Sequence, residues 1–363
     1  MSNIIDVTIA RKQSYAVEVG EHLEDSFAAF CRDRYSGRQI FVLIDQKVNT
    51  LHRSRIEKMC QPVFENIYFI EIPEGERSKS VGQWSNCIDT ILRTGVERGT
   101  PLLAAGGGVT GDLGGFVAAS LLRGIPLIHL PTTLLAMVDS SIGGKTGINH
   151  AQGKNLIGAF YQPDAVFADI RFLQTLEAGE WITGMAEILK YAAIRNPDMF
   201  EEVRELAEGA LAPDDKWAAI IRRSARIKTD IVQEDALESG KRAFLNFGHT
   251  FGHAIEKVAG YGAISHGEAV FVGMIAGAHF SSLMGHPVSE APFTPFISLY
   301  QKHMGTLPRD IEQLIKAMKS DKKVKNNVLR LVLLNEWGSP YIHECTDQDK
   351  LKEAWKYALA QFN

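Results

Sequence analysis

The sequence predicts an α/β N-terminal domain built on a Rossmann-like, mostly parallel sheet, followed by a mostly α-helical C-terminal domain. Three observations carry that expectation. Short apolar runs alternate with amphipathic stretches up to about residue 175, each run ends at an Asp, Pro or Gly, and helical spacing dominates thereafter. A chain of 363 residues can bury two cores, which suits a division into residues 1–175 and 176–363 with a ligand cleft between them.

In chain order, residues 40–44 read as a buried strand ending at Asp45, and residues 67–72 as a second stopped by Pro73. Residues 102–105 form a third that runs into glycines, and residues 127–130 a fourth closed by Pro131. Helical spacing then covers residues 185–193, 216–231, 269–283 and 308–318, and only residues 329–334 read as a strand. There is no internal repeat and no low-complexity segment.

A net charge of −4 provides no global basic field, which argues against nucleic acid as a partner. Any bound anion must be held by a local cluster of Lys and Arg. Cys31, Cys60, Cys87 and Cys345 are scattered and form no CxxC pair, as expected of reduced thiols in the cytosol. The opening MSNIIDVTIARKQSY lacks the apolar core of a signal peptide, and no uncharged apolar run reaches the roughly 18 residues of a membrane span. The expectation is a cytoplasmic protein without a membrane partner.

Three groups of residues point to chemistry. GGGVTGD, at residues 106–112, follows an apolar strand and precedes the helical-looking LGGFVAAS. Glycines at such a turn let backbone N–H groups approach a diphosphate; a tight packing turn reads the same way, and the spacing matches neither GxGxxG nor a P-loop. Asp45, at a strand end, suits ribose hydroxyls and equally suits a turn. His249 and His253 lie four apart, on one face of a helix, and His266 follows in SHGEA. With a carboxylate, such imidazoles make a catalytic zinc arrangement. Glu187 is a candidate carboxylate, and Lys190, one turn on, could neutralise it as an ordinary pair. Arg123, Lys145, Lys154, Lys190, Lys228 and Arg242 supply cations, two of them in the glycine-rich DSSIGGKTGIN and GKNLIGAF. Together they suit a phosphate- or carboxylate-bearing substrate.

Taken in order, PEGERSKS, GGGVTGDLGGF, LRGIPLIHLPTTLLAMVDSSIGGKTGIN, GKNLIGAFYQP, GMAEILKY, ESGKRAFLNFGHTFGHAIE, HGEA and a late SDKKVK resemble the 3-dehydroquinate synthases, over roughly residues 40–335. The resemblance implies metal ligands at Glu187, His249 and His266, in place of the His249–His253 pair that spacing favours. It implies cofactor positions at Asp45, Glu76, Lys79, Gly107, Gly108, Val109, Asp112, Thr132, Thr133, Asp139, Lys154 and Thr175. Catalytic positions fall on Lys145, Lys190, Glu238 and His253, the last linked to proton transfer near the substrate phosphate. Substrate positions fall on Asn155, Lys228, Arg242, Asn246 and Lys322, and on Arg123 reaching into a neighbouring subunit, which implies a homodimer. Lys47 stands where the family often has Asn.

The implied activity turns 3-deoxy-D-arabino-heptulosonate 7-phosphate into 3-dehydroquinate and phosphate, a shikimate-pathway step towards aromatic amino acids. It uses recycled NAD and one divalent metal, zinc or cobalt. Rival expectations are another sugar-phosphate cyclase, a metal-dependent polyol dehydrogenase and a catalytically dead binding protein, the last disfavoured by the full metal and cation set.

Overall fold

The computed structural model describes residues 14–35, 39–238, 240–260, 262–319 and 328–363. Eight strands precede residue 170: β1 (Ala16–Gly20), β2 (Gln39–Asp45), β3 (Asn66–Ile72), β4 (Leu102–Gly106), β5 (Leu127–Pro131), β6 (Lys145–His150), β7 (Gly153–Phe160) and β8 (Ala165–Asp169). Six form one sheet in the order β1-β8-β5-β4-β2-β3, with every neighbouring pair parallel. The four strands expected from apolar runs are β2, β3, β4 and β5. β6 and β7 pair antiparallel as a separate hairpin.

The continuity of those runs has a simple cause. Along β2, Ile40, Val42 and Ile44 enter one core while Phe41 and Leu43 enter a second on the opposite face. A strand buried on both faces needs apolar residues at every position, not every other one. The helices α1 (Glu24–Arg34), α2 (Gln46–Cys60), α3 (Val81–Thr94) and α4 (Gly108–Ser120) connect and cover these strands.

From residue 178 the chain is mainly helical: α5 (Ala178–Ile194), α6 (Met199–Glu208), α7 (Asp215–Glu234), α8 (His249–Ala259), α9 (His266–Leu283), α10 (Thr294–Gln301), α11 (Ile311–Lys319) and α12 (Gln348–Ala360). The expected strand at residues 329–334 is β9 (Leu329–Glu336), and it pairs antiparallel with β10 (Ser339–Cys345). One face of the parallel sheet shares its core with these helices, since Ile44 and Leu130 belong to the same cluster as Trp181, Trp217 and Phe271. Among the described residues, no helix is long and apolar enough to cross a membrane.

The chain leaves β2 for β3 on one side, then returns to the other side of β2 as β4 and moves outward to β5. The carboxyl ends of β2 and β4 therefore flank a topological switch point, the usual ligand crevice of an open parallel sheet.

Candidate functional site

A cavity of about 1060 Å³ opens at this switch point, walled by the strand ends on one side and by α8 and the start of α9 on the other. All twelve expected cofactor positions line it. Asp45 does so while its side chain caps α2, accepting from the backbone N–H of Lys47 at 2.9 Å. The glycine run is less of a loop than expected, because α4 already begins at Gly108 with Gly107 as its uncapped N-terminal neighbour. With no side chain occupying the first-turn N–H groups, they are open to an anion in the cavity. The hydroxyl of Thr132 is buried there with no hydrogen-bond partner among the described residues. Lys79 is buried and held by Asp112 and Asn155, each at 2.6 Å. Lys47 reaches across the mouth to pair with Glu177.

At the α8–α9 wall, Glu187, His249 and His266 bring their ligand atoms within 4.8 Å of one another. Glu187 Oε1 lies 3.5 Å from His249 Nε2 and 3.6 Å from His266 Nε2. The convergence has local causes. α8, which starts at His249, is entered through Gly248 at φ 78°, a left-handed backbone that favours glycine. His266 is the first residue of α9, fixed by a capping box in which Ser265 accepts from the Glu268 N–H and Glu268 accepts from the Ser265 N–H. Two glycine contacts let the helices approach. A Cβ on Gly273 would lie 2.1 Å from the Gly248 carbonyl oxygen, and one on Gly267 would lie 2.4 Å from Thr183 Cα.

This set fits a divalent ion. Glu187 Oε2 accepts from Lys190, but Oε1 is buried and lacks a hydrogen bond among the described residues. A buried carboxylate oxygen with no donor is costly, whereas two imidazoles beside it complete a donor set for a metal with an open position. Burial works against charge on His266, yet its contacts with Glu187 and Glu256 outweigh this and raise its pKa to about 10. The locus therefore favours positive charge. The ordinary pair expected between Glu187 and Lys190 is also present, so the carboxylate serves both partners through different oxygens.

The cations form two groups. Lys190 and Lys228 are buried and share Asp139, at 3.6 and 2.9 Å. Burial would raise the Asp139 pKa, but these two charges hold it well below the usual range. Lys228 is pushed down to about 8, first by burial, with Asp139 opposing and Lys190 reinforcing the shift. In the second group, Glu238 pairs with Lys145 and accepts from Asn246 at 3.0 Å. Arg242 is buried nearby, donates to the carbonyls of Ala236 and Gly143, and keeps an unpartnered Nε among the described residues. Asn155 and Glu238, both lining the cavity, have left-handed backbones at φ 52° and 59°. Such strain is retained where the surroundings enforce it, commonly at functional sites.

Lys145, Asn155, Glu238, Asn246, His253 and His266 thus share the cavity surface with the cofactor positions. Arg123 does not join them. It sits exposed on a turn with φ 68°, away from the cavity lining. Lys322 lies outside the described residues. The structure separates the pair that spacing favours: His249 falls in the set with Glu187 and His266, and His253 in a second set with Glu256 and His266. Glu256 was overlooked, although it follows His249 by seven positions on the same helical face.

Two family models cover most of this site. The 3-dehydroquinate synthase N-terminal model matches residues 69–183, and the 3-dehydroquinate synthase C-terminal model matches residues 184–324. A 3-dehydroquinate synthase from Salinibacter ruber is 45% identical over 293 residues, 80% of each chain. One from Syntrophotalea carbinolica is 42% identical over 337 residues, 92% of this chain and 93% of that one. Among solved structures, a 2-deoxy-scyllo-inosose synthase complexed with carbaglucose-6-phosphate, NAD+ and Co2+ superposes with a TM-score of 0.83 at 28% identity, covering 94% of this chain and 96% of that one. A 2-epi-5-epi-valiolone synthase from Streptomyces hygroscopicus shares the fold, with a TM-score of 0.86 at 24% identity over 98% of this chain and 100% of that one.

Proposed function

The chain belongs to the 3-dehydroquinate synthase family, and from that membership we infer that it converts 3-deoxy-D-arabino-heptulosonate 7-phosphate into 3-dehydroquinate and phosphate. It is an NAD- and metal-dependent carbon–oxygen lyase of the shikimate pathway. The observation that carries the chemistry is the Glu187, His249 and His266 triad, with its donorless carboxylate oxygen, beside a cavity lined by all twelve cofactor positions.

When bound, NAD supplies a hydride acceptor that is regenerated within each turnover, and the divalent ion supplies positive charge at the oxygen of the oxidised carbon. Glu187, His249 and His266 would hold that ion. Lys190, between Glu187 and Asp139, holds and passes the proton of the same oxygen. Lys145, Asn155, Arg242 and Asn246 orient the phosphate, and Lys228 takes a second anionic group of the substrate. His253 and Glu238 move protons at the phosphate end. Lys322 completes the substrate set.

Residues 1–175 form the cofactor-binding domain and residues 176–363 the metal- and substrate-binding domain. The enzyme works in the cytoplasm as a homodimer, with Arg123 completing the partner's site. Arg123→Ala that stays folded and dimeric is expected to raise KM for the sugar phosphate, and unchanged kinetics would remove the shared site.

Phosphate release from 3-deoxy-D-arabino-heptulosonate 7-phosphate, measured with catalytic NAD and with or without a chelator, tests the whole assignment. Chelator-sensitive release without net NADH is expected. No release from metal-loaded protein, with turnover of sedoheptulose 7-phosphate or glucose 6-phosphate instead, would reassign it to a sister cyclase. Stoichiometric NADH from a simple polyol would make it a dehydrogenase.

A further inference from the structure

We infer that Glu256 is a positioning residue for the metal ligand His266 and that Lys154 ties it to the cofactor cleft; this rests on the proposed metal role of His266. α8 carries His249, His253 and Glu256 on one face, at relative positions 0, 4 and 7. Glu256 is buried, and its two oxygens have different partners. Oε1 accepts from Lys154 Nζ at 2.9 Å, and Oε2 lies 3.5 Å from His266 Nδ1. An ionised carboxylate can only accept, so Nδ1 is the nitrogen that carries the proton. Nε2 also faces a carboxylate, Glu187 Oε1 at 3.6 Å, so it is the nitrogen that gives up its proton when a cation takes its lone pair, while Nδ1 keeps its own towards Glu256. A carboxylate behind a ligating imidazole fixes the ring's orientation and raises the basicity of the nitrogen in front.

The same atoms allow a rival arrangement, because His253, Glu256 and His266 could also surround an ion. An ammonium sits on one oxygen of Glu187 and of Glu256 alike, so one fact weighs against the rival. Both Glu256 oxygens have partners, whereas the donorless buried oxygen belongs to Glu187. Lys154 lies on β7 and lines the cavity, so it draws part of the Glu256 charge away from His266 and towards the cleft.

The test is Co2+ affinity of the full chain, measured by competition with a chelator, together with the visible cobalt spectrum. Glu256→Gln is expected to lower affinity about 10–100-fold, with the saturated spectrum unchanged because the ligands are unchanged. Lys154→Met, which leaves the Glu256 charge undivided, is expected to raise affinity severalfold, and it keeps the inference testable if Glu256→Gln does not fold. A wild-type chain that binds no cobalt refutes the metal site itself. Wild-type binding with unchanged affinity in Glu256→Gln, even with a lowered Tm, refutes only the positioning role. An altered saturated spectrum in Glu256→Gln, or two ions per wild-type chain, would make Glu256 a ligand and overturn the inference. Unchanged or weaker binding in Lys154→Met would break the link to the cleft.

Discussion

Replacing Gly273 with Ala isolates what holds the proposed metal ligands together. The added methyl would lie 2.1 Å from the Gly248 carbonyl oxygen and 2.9 Å from the Gly252 amide nitrogen. Both are backbone atoms of the α8 entry, which no rotamer change can move aside. Restoring ordinary contact requires α8 and α9 to part by about 1 Å, and overpacking of this kind costs about 1–3 kcal/mol. Alanine gains about 1 kcal/mol in intrinsic helix propensity, so the two effects oppose each other and the clash wins. Gly82 in α3 is the control, since a Cβ there meets nothing within 4 Å and Gly82→Ala should be neutral or slightly stabilising. With an unfolding entropy of about 2.1 cal/mol/K per residue, a net loss of up to about 2 kcal/mol lowers Tm by up to roughly 2–3 °C if the 363 residues unfold together. His249 directly follows Gly248, so the same displacement loosens the triad, and a site about 1 Å too loose loses function. Thermal denaturation and cobalt titration of Gly273→Ala check both effects. A Tm no lower than wild type, with unchanged metal affinity, would show that this contact does not set the ligand geometry.

Glu187→Gln should abolish metal binding and phosphate release together while the protein stays folded, because the amide can still accept from Lys190 and Asp139 remains beside that ammonium; metal content by elemental analysis and circular dichroism decide this, and full activity in metal-free protein would sink it. The Lys228 pKa of about 8 gives a signed pH dependence. Above pH 8 the free enzyme loses that positive charge, so kcat/KM should fall with an apparent pKa near 8 and the fall should move upward in Lys228→Arg. Stability runs the other way: between pH 8 and 10.5 the folded chain has shed a proton that the unfolded chain retains, so this group's contribution rises with pH over that window. Urea midpoints measured across the same range for wild type and Lys228→Met test the sign.

The sheet was legible where apolar residues run together: β2 and β4 are unbroken runs, β5 is broken only by the buried His129, and the edge strand β3 keeps residues 67–70 apolar in a row. β1, the other edge strand, was not, since its AVEVG is short and split by Glu18 with no run of apolar residues longer than two. AVFAD of β8 is as short and as buried as β4 and β5, so neither its length nor its burial explains why it was not anticipated. The β6–β7 hairpin hid inside glycine-rich motifs that suggested anion binding. Those glycines also have a packing task, because a Cβ on Gly158 would come within 2.1 Å of the Thr146 carbonyl oxygen across the hairpin. In the site, helical spacing could place His249 and His253 on one face but could not say which neighbouring helix that face meets. His266, the third proposed ligand, comes from another helix through the Ser265 cap, information absent from any local period. The cations were visible as residue types, but the depth of Lys190, Lys228 and Arg242 belongs to the packing of α5 and α7.

Glu238 places a carboxylate of the protein among the cations expected to receive a substrate anion. Lys145 and Asn246 are therefore never bare in the resting enzyme; they hold a tethered ligand whose effective concentration is set by the chain rather than by the solution. An incoming phosphate does not simply add charge to charge. It exchanges places with a resident anion, and the electrostatic gain is only the difference between the two. Free inorganic phosphate, which offers nothing beyond its charge, gains little from that exchange. A sugar phosphate recovers the displaced interaction through its hydroxyls elsewhere in the cleft, so discrimination against small anions is built into the unliganded protein.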